Sequence, residues 1–269
     1  MPIAAPLVAA LDPKTFVDFT VKSVEKLTHD TSRFRFSLPE GSYLGMAPDS
    51  ASCLVTKFIG SDNKAVIRPY TPIEKVGSGY FDLVVKTYPD GKMSKHIHSL
   101  ERGSILQMKG PIEKYVFKND ASESWIGMLA GGTGITPMIQ VIDRFISNGF
   151  KLENGESKIS LIYANRGEED IIMKSYLDEI ASKYPRNFKV VYTISNPVDE
   201  KLWKGETGRI HEGMIQKHMP PPGKGKVFVC GPPGQMIFLS GPKAEDKSQG
   251  KLDGVLKKLG YNEDDVYKF

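Results

Sequence analysis

The amino-acid sequence predicts two domains of different fold class, an N-terminal six-stranded antiparallel β-barrel and a C-terminal α/β domain with a parallel sheet. The first observation is that short runs of alternating apolar and polar residues, separated by turn residues, fill residues 16 to 117. The second is that apolar strands then alternate with helix-length amphipathic segments. A polar cluster, KNDASES, separates the two patterns. We therefore expect a barrel domain at 1–118, a linker at 119–124 and an α/β domain at 125–269.

The composition is that of a folded globular protein. The 269 residues are 40% hydrophobic and 25% charged, which is enough for two cores. The N-terminal run PIAAPLVAAL is apolar but far shorter than the roughly 20 residues of a membrane helix. It also lacks the basic region of a secretory signal. We expect it to be a covering strand or the stub of a longer, membrane-anchored chain.

Cysteine use and charge exclude several classes of protein. Cys53 and Cys230 lie far apart in strand-like runs, which favours reduced thiols over a disulfide. The net charge of +4 is mild and the lysines are scattered among acids, so we expect no nucleic-acid partner. An acidic protein partner remains open.

The barrel strands follow one another with turns between them. Phe34, Phe36 and Leu38 alternate with Arg35 and Ser37. Further strand-like runs read SCLVTKFI, KAVIRPY, GYFDLVVKTY and GSILQMKG, and the turns read SDN, GSG, PDG and ERG. An antiparallel sheet closing on itself accounts for this order.

One helix interrupts the barrel, in GKMSKHIHSLERG. Ser94 is its expected N-cap, Ile97 and Leu100 lie on one face, and Gly103 ends it.

The two histidines of this helix do not suggest a metal site. His96 and His98 lie two residues apart and therefore point to different faces, with no third ligand near them in the sequence. We expect solvated histidines and no metal.

The α/β domain shows four strand–helix repeats. The strands are WIGMLAGG, KISLIYAN, FKVVYTI and KVFVCGPPG, followed by TPMIQVIDRFISNG, DIIMKSYLDEIASKY, HEGMIQKH and GKLDGVLKKLG. Such alternation predicts a parallel sheet with helices on both faces and a ligand at the carboxyl ends of its strands.

The glycine-rich turn LAGGTGITPM predicts a phosphate site. Gly131, Gly132 and Gly134 allow a tight turn and a close approach of ligand to backbone, and a helix beginning near Thr136 or Pro137 presents free N–H groups to an anion. The turn is neither GxGxxG nor a Walker loop, and no Lys follows the glycines, which argues against transfer of a terminal phosphoryl group. A purely structural connection is the alternative.

The run VFVCGPPGQM ends the last clear strand. Cys230 sits where such a sheet offers residues to its ligand crevice. The alternative for this cysteine is a small buried hydrophobe without a functional role.

The stretch RPYTP predicts a second nucleotide site. Pro69 and Pro72 hold their preceding residues extended, so alternate side chains of Arg68 and Tyr70 face one ligand. Arg suits a diphosphate, Tyr the face of a flat heterocycle, and Thr71 a hydrogen bond to a ring nitrogen. The nearby DGKMS adds backbone donors from Lys92, Met93 and Ser94. Two anion-binding segments on two domains suggest two nucleotides, although Tyr70 could instead be a core residue.

With these motifs assembled, the sequence resembles the ferredoxin reductase superfamily and, within it, the NADH–cytochrome b5 reductase family. The resemblance runs from about Phe16 to Phe269. It rests on RPYTP, DLVVK, PDGKMS, GMLAGGTGITPM, LIYAN, YTI, VCGPPG and VYKF in the family's order. The phrases ASCLVT, KGPIEKY and SQGKLDGVLKKLGY further resemble the mitochondrial branch.

The resemblance implies FAD on the barrel and NADH on the α/β domain. It places Arg68 at the FAD pyrophosphate, Tyr70 over the isoalloxazine and Thr71 near flavin N5, with Lys86 directed towards FAD and NADH. The remaining implied FAD contacts are Pro69, Val84, Gly91, Lys92, Met93, Ser94 and Thr136. The implied NADH contacts are Gly132, Thr133, Cys230, Gly231, Pro232 and Pro233, with Phe269 as the family's terminal aromatic.

The implied activity is transfer of hydride from NADH to the flavin, followed by single-electron transfer to cytochrome b5, an acidic haem protein. The resemblance further implies a monomer, a mitochondrial location at the outer membrane or intermembrane space, and a membrane link only through an N-terminal anchor. The cytoplasm or the endoplasmic reticulum face is the alternative location. Lys92 and Lys95 are candidates for steering the acidic partner.

Two departures from the family pattern bear on these expectations. Ser195 and Asn196 follow the YTI strand, where related reductases carry an acid that favours NADH over NADPH. CGPPGQM replaces the commoner CGPPPM, which leaves the contacts of Gln235 and Met236 open.

Two other functions remain alternatives. One is the same module serving another acceptor, such as a nitrate reductase, a desaturation system or free flavin. The other is a catalytically silent binding subunit, which we would expect to have lost Thr71, Lys86 or Cys230, whereas all three are present.

Overall fold

The structure is a computed structural model that describes residues 7–152, 155–199 and 201–269. The chain divides between Val116 and Phe117 into two compact units. This division falls slightly before the predicted linker. The linker itself contains a short 3₁₀ helix, Ala121–Glu123, whose buried Glu123 carboxylate accepts hydrogen bonds from the Lys118 and Asn119 amides. These residues therefore form a hydrogen-bonded connection that leads into the first strand of the second unit.

The first unit is a β-structure with one helix, α1 (Lys92–His98). Its strands are β1 (Val8–Ala9), β2 (Val17–Lys26), β3 (Thr31–Ser37), β4 (Ser42–Tyr43), β5 (Ser50–Ile59), β6 (Ala65–Tyr70), β7 (Ile73–Glu74), β8 (Tyr80–Lys86) and β9 (Ile105–Val116). The main sheet has the order β6-β5-β9-β2-β3-β8-β7, and its neighbouring strands are antiparallel. The predicted antiparallel class is confirmed.

The strand count differs from the expected six, because the two-residue β7 makes a seventh strand. β6 and β7 are the two ends of the sheet, yet only Thr71 and Pro72 separate them in the chain. The sheet must therefore curl round until its ends meet at RPYTP. Pro69 and Pro72 have no N–H to donate, which fits a position at a sheet edge.

Aromatic rings fill the inside of this curled sheet. Phe19 and Phe36 both pack on Phe81, with ring centroids 5.3 and 5.4 Å apart, and all three are almost fully buried. The N-terminal apolar run supplies the short covering strand β1, which pairs with β4. Residues 2–6 of that run lie outside the described residues.

The prediction of solvated histidines and the N-cap prediction for α1 are wrong. Ser94 lies in the first turn, while Gly91 is the N-cap residue. His96 is half-buried and stacks on Phe58 with ring centroids 4.0 Å apart. His98 is also half-buried, and its Nε2 lies 2.8 Å from the Val85 carbonyl oxygen. Burial lowers the pKa of His96, because the charged form is less well solvated there.

The second unit alternates strands and helices, as predicted. Its strands are β10 (Trp125–Gly131), β11 (Lys151–Leu152), β12 (Gly155–Glu156), β13 (Lys158–Asn165), β14 (Phe188–Ile194), β15 (Glu206–Thr207), β16 (Lys226–Cys230) and β17 (Val266–Lys268). Its helices are α2 (Ile135–Ser147), α3 (Lys174–Lys183), α4 (Glu212–His218), α5 (Pro233–Ser240) and α6 (Gly254–Lys258), with further 3₁₀ turns at Gly132–Gly134 and Glu168–Asp170.

The main sheet of this unit is parallel and has the order β15-β14-β13-β10-β16-β17. The chain builds outwards from β10 to β15 on one side, then returns to place β16 on the other side of β10. The direction of building therefore reverses at β10 and β16. In open α/β sheets a ligand crevice forms at such a reversal, outside the carboxyl ends of the strands.

Within the described residues, no helix combines the length and the apolar character needed to cross a membrane.

Candidate functional site

The RPYTP stretch presents a cation and a phenol at the end of β6. Arg68 is exposed, and its Nη1 donates a 2.7 Å hydrogen bond to the carbonyl of the adjacent Ile67. Tyr70 is half-buried and packs against the core of the first unit. Burial raises the pKa of the Tyr70 phenol to about 12, so it stays protonated. Thr71 is half-buried, and the Thr56 hydroxyl holds the backbone of β6 through the Arg68 carbonyl at 3.0 Å.

Lys86, at the end of β8, has a partner that the sequence did not reveal. Its Nζ lies 2.6 Å from Oδ2 of Asp30, whose other oxygen, Oδ1, accepts hydrogen bonds from the hydroxyls of Thr28 and Thr31. Burial raises the pKa of Asp30, but the bonds from Lys86 and Thr31 outweigh this effect and hold it below its ordinary value. Asp30 therefore stays ionised and fixes the Lys86 ammonium. Val84 on the same strand has a buried side chain, which leaves its backbone for any ligand contact.

The turn before α1 is tightly closed on its inner side. A Cβ on Gly91 would lie 2.2 Å from Oγ of Ser94, so a side chain does not fit there. The Ser94 hydroxyl donates to the Gly91 carbonyl at 3.1 Å and accepts from the Tyr88 amide at 3.2 Å, which closes the turn from inside. Among the residues that the structure describes, no side chain caps the start of α1. Met93 points into the core, and Lys92 is exposed and lies 3.6 Å from Asp62.

These features fit a dinucleotide such as FAD. The Arg68 fork is exposed and suits a diphosphate, the first turn of α1 offers uncapped amides, and a half-buried aromatic ring lies between them in sequence. Arg68 is exposed and Tyr70 is half-buried, so both side chains present accessible surface to a ligand.

The predicted glycine-rich turn lies at the carboxyl end of β10. Gly132 has a φ of +52°, and the fully buried Tyr163 donates a 2.9 Å hydrogen bond from its hydroxyl to the Gly132 carbonyl. A Cβ on Gly134 would lie 2.3 Å from the Cys230 carbonyl oxygen. The Thr136 hydroxyl donates to the Thr133 carbonyl at 3.1 Å and so closes the first turn of α2. The turn is therefore held in place by the protein itself.

The CGPPG turn lies beside it, at the carboxyl end of β16. Ala130 and Cys230 are paired across β10 and β16, which brings the two predicted turns together at the reversal point of the sheet. The Cys230 residue is half-buried, and burial raises the pKa of its thiol to about 12. Pro232 and Pro233 are exposed and begin α5, and Gly231 precedes them.

An unsatisfied amide lies between the two turns. The Gln235 side chain fills the space beside Gly131 and Gly231, where a Cβ on either glycine would lie within 3 Å of it. Its Nε2 is buried and has no hydrogen-bond partner among the residues that the structure describes. A Cβ on Gly132 would meet open space. A buried donor beside an open turn fits a ligand oxygen, so the residues present suit a bound dinucleotide.

Phe269 borders the same turn. Its amide donates a 3.0 Å hydrogen bond to the Val229 carbonyl, one residue before Cys230. Its ring lies 5.4 Å from the ring of Phe228 and 5.1 Å from that of Tyr267.

Ser195 and Asn196, which follow β14, are both exposed. Direct contacts of all these residues with FAD or NADH stay predictions.

A further cavity of about 620 Å³ lies elsewhere in the second unit. None of the predicted site residues lines it; its walls include Tyr192, Trp203 and His218. It runs along β14 and the segment before β15, away from the reversal point of the sheet.

Family models match both units. The oxidoreductase FAD-binding domain matches residues 18–117, and the oxidoreductase NAD-binding domain matches residues 128–240. These matches confirm the predicted FAD and NADH cofactors on the predicted halves of the chain.

Curated relatives match nearly the whole chain. The chain is 45% identical over 267 residues to an "NADH-cytochrome b5 reductase-like protein" of Arabidopsis thaliana, covering 97% of this chain and 78% of the relative. It is 43% identical to an "NADH-cytochrome b5 reductase 2" of Mycosarcoma maydis, covering 97% and 74%, and 42% identical to one of Aspergillus clavatus, covering 94% and 77%.

Solved structures show the same fold. The cytochrome b5 reductase domain of Ulva prolifera nitrate reductase superposes with a TM-score of 0.79 at 28% identity, covering 97% of this chain and 100% of that one. The CS-b5R domains of human Ncb5or give 0.73 at 23% identity, covering 95% and 69%, which supports the fold alone. From this combination of fold, paired nucleotide-binding domains and sequence identity, the chain belongs to the NADH–cytochrome b5 reductase family of the ferredoxin reductase superfamily.

Proposed function

We propose that this reductase passes electrons from NADH, through FAD, to cytochrome b5. The observation that carries the proposal is geometric: the two predicted NADH turns meet at the reversal point of the parallel sheet, where Ala130 pairs with Cys230 and the buried Gln235 amide has no hydrogen-bond partner among the described residues. Beside this geometry, burial raises the pKa values of the Tyr70 phenol and the Cys230 thiol to about 12. Such groups are poor acids and bases near neutral pH. They suit a site in which the protein positions cofactors and does not itself transfer protons.

The chain's own residues would bind and orient the two nucleotides. Arg68 would hold the FAD diphosphate, the backbone from Gly91 to Ser94 would add donors, and Tyr70 would cover the flavin ring with Thr71 beside it. In the second unit, the Gly132–Thr133 turn and the Cys230–Pro233 turn would hold NADH. Bound FAD supplies the ability to accept a hydride and to release electrons singly.

Lys86 is proposed as a fixed positive charge for this chemistry. The Asp30 carboxylate holds its ammonium at 2.6 Å, and the Lys86 side chain is only 20% exposed. A positioned cation stabilises negative charge more effectively than a mobile one, because no reorganisation is needed during reaction.

The identity of the electron acceptor is the more specific part of the proposal. The curated relatives are named for cytochrome b5, and we extend that acceptor to this chain. A nitrate reductase is the second candidate, because the Ulva prolifera structural neighbour is a domain of such an enzyme. We also propose a monomer, and a mitochondrial location on the resemblance of ASCLVT, KGPIEKY and SQGKLDGVLKKLGY alone.

The test is anaerobic reduction of the purified protein. We expect a yellow protein whose flavin absorbance is bleached by NADH, and which then reduces cytochrome b5 in stoichiometric amounts. A colourless protein that neither takes up FAD nor oxidises NADH would refute the function. The same titration with NADPH measures the preference that Ser195 leaves open.

The diphosphate assignment has its own test. Arg68→Ala should lower FAD occupancy severalfold, because the exposed guanidinium is the expected diphosphate partner. Arg102→Ala, which removes an exposed arginine from the turn before β9, serves as the control and should keep FAD. Full flavin occupancy in the Arg68 variant would contradict the assignment.

A further inference from the structure

β17 is an edge strand of the parallel sheet, and a loop covers its open side. The sheet ends at β17, so the outward backbone groups of this strand need other partners. Gln249 supplies them with one side chain. Its Oε1 accepts from the Lys268 amide at 2.6 Å, and its Nε2 donates to the Lys268 carbonyl at 3.0 Å. Gln249 belongs to the 241–251 loop, between α5 and α6.

The side chain of Lys268 ties both ends of the same loop. Its Nζ donates to the Pro242 carbonyl at 3.0 Å and to the Lys251 carbonyl at 2.9 Å. Lys268 is only 2% exposed, which is unusual for lysine. Burying an ammonium costs free energy unless it is hydrogen-bonded, so its position depends on these carbonyls. Lys243 adds a 3.1 Å bond from its own Nζ to the Lys268 carbonyl.

The residue after this anchor is Phe269. Val229 pairs with Lys268 across β16 and β17, so the next residues along the two strands, Cys230 and Phe269, are neighbours. Side chains alternate along a strand, so Phe228 and Cys230 share a face of the sheet, and the Phe269 ring packs on Phe228 on that face. Phe269 is half-buried, so part of this residue is accessible to a ligand.

We propose that Lys268 is a positioning residue: with Gln249, it locks the 241–251 loop to β17 and so fixes Phe269 as one wall of the place where the nicotinamide ring binds beside Cys230. The proposal rests on the proposed function, because it assumes that Cys230 borders the nicotinamide. It assigns a role to the buried Lys268 and to the SQGK segment at residues 248–251. Neither is among the predicted contacts with FAD or NADH. The adenosine half of the dinucleotide is expected not to depend on it.

The test compares two ligands on the oxidised holoenzyme. NAD⁺ carries the nicotinamide and ADP-ribose lacks it, and both affinities are measured by calorimetry. In Lys268→Met, which keeps the side-chain length but removes the ammonium, the Kd for NAD⁺ should rise about three- to tenfold, the range expected from the loss of one ring contact. The Kd for ADP-ribose should stay within about twofold. The kcat/KM for NADH should fall about tenfold, because a small misplacement slows hydride transfer.

Two further variants keep the result interpretable. Lys257→Met removes an exposed lysine from α6 with the same loss of charge, and it should bind both ligands as the wild type does. Gln249→Leu removes the two hydrogen bonds between the Gln249 side chain and the Lys268 backbone. It should also raise the Kd for NAD⁺ more than that for ADP-ribose. This variant provides the test if Lys268→Met does not fold.

Equal weakening of NAD⁺ and ADP-ribose, or no change in either, would overturn the proposal. Failure of the proposed function is a separate result: the wild-type protein would then bind neither FAD nor NADH. A working wild type with an unaltered NAD⁺ to ADP-ribose ratio in both variants would sink the role of Lys268 alone.

Discussion

At the scale of single residues, the charge state of Cys230 bears most directly on the chemistry. Cysteines that act as nucleophiles are usually held as thiolates by nearby cations or helix N-termini. Burial does the opposite here and raises the pKa of the Cys230 thiol to about 12, although Lys243 lowers it somewhat. The thiol is therefore neutral at every pH at which the protein is expected to work. At the proposed position beside the nicotinamide, we expect such a thiol to act through its shape and polarisability.

Cys230→Ser should keep FAD and slow its reduction by NADH about tenfold, because the smaller oxygen leaves a gap beside the nicotinamide. Stopped-flow bleaching of the flavin measures this rate. Since the folded-state pKa lies near 12, the wild-type rate should show no step from the thiol between about pH 6 and pH 9. Alkylation by iodoacetamide in that range should also be slow, measured in a Cys53→Ala background. A rate step that disappears in Cys230→Ser would contradict the neutral thiol.

Short motifs place several of the predicted site residues near strand ends. Tyr70 and Cys230 end β6 and β16, Arg68 lies two residues before the end of β6, and the flanking prolines and glycines mark these positions in the sequence. Asp30 was not predictable, because it precedes β3 and reaches Lys86 only through the pairing of β3 with β8. Gln235 was noticed in the sequence, but the space between two glycine turns that receives its amide is a property of the folded sheet.

At the scale of elements, the two turns at the carboxyl ends of β10 and β16 form one packed unit. Gly134 faces the Cys230 carbonyl at a distance that leaves no space for a methyl group. Two strand ends are thus brought to backbone contact. Any side chain at this point must separate the strands or shift α2.

Gly134→Ala should destabilise the protein by about 1–3 kcal/mol and weaken NADH binding, because the new Cβ would lie 2.3 Å from the Cys230 carbonyl oxygen. Gly234→Ala is the matched control. A Cβ there would meet nothing within 4 Å, and it lies in the first turn of α5, where Ala is favoured over Gly. Chemical denaturation and an NADH titration measure both effects. Equal stability of the two variants would contradict the packing of the turns.

Element predictions failed where a local signal competed with a tertiary contact. Ser94 is a good N-cap by residue type, yet its hydroxyl is used to close the Tyr88–Gly91 turn from inside the helix. His96 sits in a polar stretch, but Phe58 from β5 covers its ring. Strand β7 is too short for a periodicity to reveal it. Sequence spacing carries no information about these long-range partners.

At the scale of the whole molecule, the charge distribution bears on the acceptor. The chain carries 36 Lys and Arg residues against 32 Asp and Glu residues, so the excess of positive charge is small. Lys92 and Lys95 are exposed at α1, in the unit predicted to hold FAD. A local cluster of this kind steers an acidic partner more than the net charge does.

The second-order rate of cytochrome b5 reduction should fall as ionic strength rises, because salt screens the attraction between exposed charges. Lys95→Glu should lower that rate about three- to tenfold at low salt, with little difference at high salt. Lys224→Glu changes an exposed lysine of the second unit and serves as the control. Steady-state kinetics from 10 mM to about 500 mM salt provide the measurement. A rate that is insensitive to salt in all three proteins would exclude steering.

The two-domain organisation was predictable because the hydrophobic period changes once along the chain. A period of two gives way to alternating strands and helices near KNDASES, and the structure divides close to this point. The sequence did not predict that the sheet closes at RPYTP. This closure follows from the positions of β6 and β7 at opposite edges of one sheet. The hydrophobic pattern within each half of the chain predicts the class of each domain. Which strands lie at the edges of a sheet depends instead on the order in which the strands pair.

The hydrogen bond from Tyr163 to Gly132 has a consequence for binding kinetics. Tyr163 is fully buried in β13, so its hydroxyl holds the glycine turn with the rigidity of the sheet. A turn that is already ordered has little conformational entropy to lose when a ligand arrives. The dinucleotide should therefore associate without a slow loop-closing step, and differences in affinity among variants of this turn should appear in the rate at which the ligand leaves.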